Sequence, residues 1–344
     1  MALLFLDSFD HYDRPSEKYT GGNANDSSTF VPGRHGKGLV SNGCSISLAP
    51  ASPRCIVGGA WFPKFHFNTY FTIVDQNDSV LWLQNVGDGA LEIGMFGADG
   101  FGTTSVVARS APDIIKQNTQ WYFLELDVTL AVNPDRSVLA SVCKVYVDGA
   151  LVIDAVNLGP TLIYPHQNST HGWNTVMHGT SGHVSIIDDF YVCDGAGPAP
   201  WNAPLGDVQI DVIRPNGAGA DTQWAAVGAA SNWDATNDLT PDGDTTRVQA
   251  ASAGLSDLYQ LEDLATGNGI LGAQLLVSAR RSEEGFAQLT PLLRHAGVTT
   301  PLPGRNVSPS FSYRNRDCFV TMPNGDPLTD ANINALQAGI RRTL

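Results

Sequence analysis

The sequence predicts an all-β chain: an antiparallel sandwich followed by a smaller β-rich domain with a C-terminal helix. Three observations carry this. Before residue 200, about a dozen short runs of β-branched and aromatic residues alternate with Gly, Pro, Asn and Asp turns, and none has a helical period. A strand-like stretch, Ile186-Ile187-Asp188-Asp189-Phe190-Tyr191-Val192-Cys193, then runs into Ala196-Gly197-Pro198-Ala199-Pro200-Trp201-Asn202-Ala203-Pro204, which punctuates the chain. Finally, 344 residues are ample for two cores of ordinary size.

In chain order, Leu3 to Phe9 forms a first strand, and Arg14 to Lys37 is polar turn material including Gly21-Gly22-Asn23. Short strands are expected at Gly38–Val40, Ser45–Leu48 and Cys55–Phe62. Tyr70–Asp75 and Ser79–Gln84 form a hairpin across Gln76-Asn77-Asp78, and Leu91–Met95 and Ser105–Ala108 follow. Gln120–Thr129 alternates with period two, with Trp121, Phe123 or Leu124, Leu126 and Val128 competing for the core face. Its partner is Cys143–Val152, where Asp148-Gly149 supplies a tight turn. After a loop from Pro165 to Gly172, Trp173–Met177 and then Val184-Ser185-Ile186 lead into the closing strand.

Beyond the Pro-rich stretch, Asp207–Ile213 alternates as a strand, and a long acidic loop from Gly219 to Thr246 carries Trp224 and Trp233 as anchors. Ser256–Leu264 reads as strand or helical turn. Ile270–Ala279, almost wholly apolar, is expected to be a central strand, and Phe286–His295 another. The tail Pro327–Ile340 is the predicted helix: Thr329 or Asp330 caps it, and Ile333, Leu336 and Ile340 share one face, expected to pack within the domain, with an oligomer seam as the alternative.

Composition narrows the function. A net charge of −14 and a pI near 4.8 speak against nucleic-acid or anionic-membrane partners, which require a basic face. The apolar start Met1–Asp7 lacks the basic flank and length of a signal peptide, and no apolar run approaches the ~20 residues of a membrane helix, so synthesis and folding in a cytoplasm are expected. Cys44, Cys55, Cys143, Cys193 and Cys318 are irregularly spaced and odd in number, as for reduced structural thiols.

Several sets of residues bear on chemistry. Asp188 and Asp189 are adjacent on a strand, so alternation sends them to opposite faces; one of them is expected to hold loop backbone. Glu125 and Asp127 share a face about 7 Å apart, the spacing of a retaining glycosidase pair, yet solvent-facing acids on any half-exposed strand give the same pattern. Asp75-Gln76-Asn77-Asp78, Asp99-Gly100 and Asp242-Gly243-Asp244 offer oxygens to Ca2+, as turn-forming Asp and Asn do everywhere, so no metal ligand is assigned and no cofactor is expected, with a bound Ca2+ as the alternative. His11, His35, His66, His166, His171, His178, His183 and His295 lack zinc-like spacing. Among the tryptophans Trp61, Trp173, Trp201, Trp224 and Trp233, Trp61 and Trp173 are the weak candidates for stacking on a sugar, against a packing role at the ends of the core.

The segments Leu4–Asp10, Trp121–Glu125, Val145–Gly149 and Ile187–Val192 together resemble the concanavalin-A-like (laminin-G-like) jelly roll. The last of them, followed by Leu205-Gly206-Asp207-Val208-Gln209-Ile210, is similar to tailed-bacteriophage virion proteins with a lectin-like domain and a second β domain. The resemblance implies a jelly roll over 1–195, a linker over 196–204 and a mounting domain over 205–344. It implies a non-enzymatic structural protein of the virion, a tail, baseplate or fibre component binding host-surface glycan, with capsid decoration and a jelly-roll glycoside hydrolase as alternatives. Other virion proteins and copies of the same chain, commonly three, are the implied partners. No catalytic residues follow from it.

Overall fold

In a computed structural model of the chain, the described residues are 3–19, 30–41, 43–65, 67–75, 80–96, 104–132, 138–155, 172–179, 185–264, 269–282 and 284–344. They fall into two compact units, Met1–Phe9 with Arg14–Ile210 and Asp10–Asp13 with Asp211–Leu344.

The first unit is a jelly-roll-like sandwich of two antiparallel sheets. Its strands are β1 (Leu3–Asp7), β2 (Phe30–Pro32), β3 (Lys37–Ser41), β4 (Cys44–Ser52), β5 (Arg54–Phe62), β6 (Thr69–Asp75), β7 (Val80–Asn85), β8 (Leu91–Phe96), β9 (Thr104–Arg109), β10 (Tyr122–Val132), β11 (Val138–Val147), β12 (Ala150–Ala155), β13 (Trp173–His178) and β14 (Ser185–Cys193). One sheet has the order β12-β11-β10-β5-β14-β3-β2 with β1 also on β14; the other is β4-β13-β6-β7-β8-β9. The alternation in β10 is resolved: Leu124, Leu126 and Val128 are wholly buried on one side, while Phe123 stacks on Tyr191 at 6.4 Å between ring centroids. Between the sheets, Trp61 meets Tyr70 and Phe71 edge-on, and Phe190 packs against Phe5 and Phe71. Asp148 and Gly149 take φ of 48° and 78°, the left-handed pair a two-residue hairpin requires, and the Asp148 carboxylate accepts the Phe123 N–H at 2.8 Å. Cys143 and Cys193 lie buried in β11 and β14.

All nine residues of β14 are buried. The expected alternation fails in its middle: the pairing with β5 shifts register between Asp188 and Tyr191, and Asp189 adopts φ 50°. This bulge overturns the expectation that Asp188 and Asp189 face opposite sides.

The second unit comprises β15 (Pro215–Thr222), β16 (Ala225–Val227), β17 (Arg247–Gln249), β18 (Ser256–Leu261), β19 (Ala273–Ala279), β20 (Gln288–His295), β21 (Val298–Pro301), β22 (Arg305–Asn306), β23 (Ser312–Phe319), α1 (Asp330–Asn334) and β24 (Gln337–Arg342). One sheet runs β15-β18-β24-β20-β21, with β22 beside β20; β16–β17 and β19–β23 are two-stranded ribbons. Leu293, Met322, Leu328, Ile333, Leu336 and Ala338 form its core. Buried Asp257 gathers the Trp224 N–H, the Asn232 amide and the Tyr259 hydroxyl at 2.6–2.9 Å, anchoring the loop that follows β15.

Three expectations for the chain beyond the Pro-rich stretch are corrected. Asp207–Ile213 is not a strand; its Ile210 N–H bonds a side chain in place of a ladder partner, as described below. Ala273–Ala279 is strand but lies in a half-buried ribbon, not centrally. The C-terminal helix is there, with Thr329 accepting the Asn332 N–H at 3.2 Å, but it stops at Asn334. Gln337–Arg342 is instead the strand between β18 and β20, and ladders on both sides outweigh the helical spacing of Ile340, aided by Gly339, a poor helix former.

Candidate functional site

The carboxylates of the sandwich turn out to be fasteners. Leu205–Ile210 is held by side chains of its own unit. Glu125, buried on β10, accepts the Tyr191 hydroxyl at 2.6 Å and the Gly206 N–H at 2.8 Å; Tyr191 in turn accepts the Leu205 N–H at 3.0 Å. Tyr191 reaches Glu125 by lying across Gly58, where a Cβ would come within 2.2 Å of its ring. Asp189 accepts the Ile210 N–H at 2.8 Å, and Arg34 clasps Asp207 with both guanidinium nitrogens at 2.5 and 2.8 Å. Asp188 accepts the Arg34, His35 and Asp189 N–H groups at 2.8–2.9 Å. Both members of the acidic pair, not one, therefore hold backbone.

Electrostatics follow from this burial. Desolvation raises Asp188 to about 7, with the neighbouring Asp189 charge adding to the rise, and raises Asp189 to about 6. Glu125 is also pushed above the ordinary carboxylate range by burial, against the pull of its hydrogen bonds. Asp127, the other member of the glycosidase-spaced pair, is clamped by Arg54 at 2.7 and 2.8 Å. Each carboxylate thus has its own structural partner.

Trp61 and Trp173 are fully buried, so neither offers a face to a sugar; burial between the sheets overturns them as stacking residues. Trp224 is tied to Leu255 O through its indole N–H at 3.1 Å. Of the calcium candidates, Asp242 accepts the Thr246 N–H and hydroxyl, and Asp244 pairs with Arg280 at 2.7 Å. Gln76-Asn77-Asp78, Asp99-Gly100, His66, His166, His171 and His183 lie outside the described residues, as does the side chain of Asp75. No cluster of three or more metal-binding side chains occurs among the described residues.

A surface that the tryptophans did not point to lies where the β5–β6, β7–β8 and β9–β10 connections meet at one end of the sandwich. Phe65 and Phe67 are 55% and 56% exposed there. Their loop is fixed from both sides. Phe65 O accepts the side-chain amides of Asn68 and Asn85, and Asn68 and Asn85 further exchange bonds at 2.8 and 3.0 Å. The Asn118 N–H reaches Pro63 O at 2.8 Å and its amide reaches Lys64 O at 3.0 Å. The Ile115 and Asp113 N–H groups bond Gly89 O and Asp88 O at 2.8 and 2.9 Å. Phe67, Asp113 and Asn118 all adopt left-handed φ (66°, 61° and 51°), a cost of roughly 1–3 kcal/mol each that this bonding sustains. Beside the loop, half-buried Phe62 and Trp121 pack at 5.7 Å between centroids. The signal in sequence was Pro63-Lys64-Phe65-His66-Phe67-Asn68, two aromatics in a turn with no apolar run to absorb them.

No protein-family model matches the chain, and no curated protein matches it in sequence. Among solved structures it is similar to the carbohydrate-binding module CBM66 from Bacillus subtilis (15% identity, 48% of this chain and 91% of that one, TM-score 0.32). It is likewise similar to the Caenorhabditis elegans galectin LEC-6 (15%, 43% and 88%, TM-score 0.29) and to the alginate lyase vAL-1 from Chlorella virus (10%, 56% and 83%, TM-score 0.35). The sandwich itself is established by the two sheet orders above.

Proposed function

We propose that this chain is a non-enzymatic glycan-binding protein and that the loop end bearing Phe65 and Phe67 is where the glycan sits. The observation that carries the reading is this pair of exposed aromatic faces on a loop pinned by buried amides. Sugar rings bury their C–H faces on such surfaces, and a prefixed loop loses little entropy on binding. The engagement of Glu125 with Tyr191 and Gly206, and of Asp127 with Arg54, supports binding without hydrolysis. The resemblance of Ile187–Val192 and Leu205–Ile210 to tailed-phage virion proteins supports a place on the outside of a phage particle, in the tail, baseplate or fibre.

Two measurements test this. A glycan array probed with wild-type protein and with Phe65→Ala/Phe67→Ala should give hits that the double variant loses. Gold-labelled antibody on intact particles should mark the tail tip; label over the head would turn the reading to capsid decoration. Release of reducing sugar from any bound polymer would overturn the non-enzymatic assignment.

A further inference from the structure

We propose that the ligand of this loop end is an anionic glycan, its sugar faces on Phe65 and Phe67 and its carboxylate or sulfate held by Lys64 and Lys116. The inference rests on the glycan-binding reading above and adds the chemical class of the sugar.

The argument is one of charge in context. The chain carries a net charge of −14 and only five lysines. Lys18 is buried against Asp7 at 3.1 Å, and Lys37 lies over the Phe30 ring. Two of the remaining three stand at this one end. Lys64 directly precedes the exposed Phe65, and the Lys116–Asn118 turn is bound to it through Asn118 and Lys64 O. Neither lysine is ion-paired among the described residues. The acids in the same loops are Asp88 and Asp113. Arg109 neutralises Asp88 at 2.6 Å and also reaches Glu92 at 3.6 Å, leaving Asp113 as the one carboxylate in these loops to set against the two ammonium groups. With Lys64, Lys116 and Arg109 set against Asp88, Glu92 and Asp113, this end is neutral on a chain of net charge −14, so an acidic polymer meets little repulsion here and two ammonium groups outside any ion pair among the described residues. A neutral sugar would offer the two ammonium groups hydroxyl acceptors but no countercharge.

The backbone carrying the second lysine is set in advance. The Thr119 hydroxyl bonds Lys116 O at 2.9 Å, and the Lys116 N–H bonds the Tyr122 hydroxyl at 2.9 Å, so the backbone carrying the second lysine is fixed before any ligand arrives. Only the lysine stems need ordering on binding.

The test is affinity electrophoresis and calorimetry of the full chain with polygalacturonate, dextran sulfate and unmodified dextran. Binding to one or both anionic polymers, weakened by added salt, is expected, with dextran inert; the two anionic arms separate carboxylate from sulfate recognition. Lys64→Ala/Lys116→Ala should weaken it about tenfold or more, and Phe65→Ala/Phe67→Ala comparably, with unfolding midpoints little changed because Phe65, Phe67 and Lys116 are exposed and Lys64 is half-buried outside the core. Dextran binding that survives the lysine changes but not the phenylalanine changes would overturn the anionic assignment and leave the platform standing. Binding of anionic polymer unaltered by all four substitutions would overturn this site. Failure with every glycan on the array as well would remove the glycan reading itself.

Discussion

Alanine at position 58 places a methyl carbon 2.2 Å from the Tyr191 ring, which must then leave its course toward Glu125. Gly58→Ala is therefore expected to destabilise the sandwich by roughly 1–3 kcal/mol, the usual range for overpacking, read from the midpoint of urea unfolding. Tyr191→Phe makes a different claim about the same residues. It removes a buried hydroxyl that donates to Glu125 and accepts from Leu205, so the loss is about 1–2 kcal/mol without any steric change. If Tyr191→Phe proves neutral, the Glu125 carboxylate has other support and the hydroxyl is not a fastener. Trp61→Ala, by contrast, opens a cavity between the sheets and should cost about 3–5 kcal/mol.

At the scale of elements, β14 and the segment it fastens set a pH dependence. Asp188 and Asp189 bind protons more tightly in the folded chain, at about 7 and about 6, than the ordinary value of 3.8. Between roughly pH 4 and pH 7 the native state thus holds protons that the unfolded state has released. Their contribution to stability is fully present below about pH 4 and is lost as pH rises through 6 to 7. Thermal unfolding temperature should fall across that window, and Asp188→Asn/Asp189→Asn should flatten the slope. An unaltered slope in the double variant would assign the dependence to other groups. The same element view explains the tail: Ile333 packs in the second core from a one-turn helix and Leu336 from just beyond it, while Ile340 is buried from a strand. The four-residue step from Leu336 to Ile340 suits helix and strand alike, and pairing with two neighbours selects the strand.

For the whole molecule, a charge of −14 is spread over a surface with few lysines, so self-repulsion opposes compactness at neutral pH. Added salt should raise the unfolding temperature at pH 8, and the effect should shrink toward the pI near 4.8. Glycan binding through Lys64 and Lys116 should respond to salt in the opposite sense, which keeps the two effects separable in one titration.

How much of this was legible in advance differs by kind of information. Hydrophobic alternation and turn residues are local, and they alone placed the strands of the sandwich, from Cys55–Phe62 to the Asp148-Gly149 hairpin, and the cap at Thr329. They misassigned Asp207–Ile213, because its alternation is real while the Ile210 N–H, and that of Gly206 before the segment, bond carboxylates on β14 and β10, far away in sequence. They also divided Asp188 from Asp189, since a bulge is decided by pairing across β5 and β14. The tryptophans suggested a binding face by their aromatic rings near strand ends and loops, and the large apolar area of those rings is what drives Trp61 and Trp173 into the core. By itself the sequence determined the all-β architecture, the acidity and the order of strands. Tertiary structure alone decided which acids are spent on backbone, which aromatics remain outside and where two lysines meet them, because each depends on what distant residues bring to the same place.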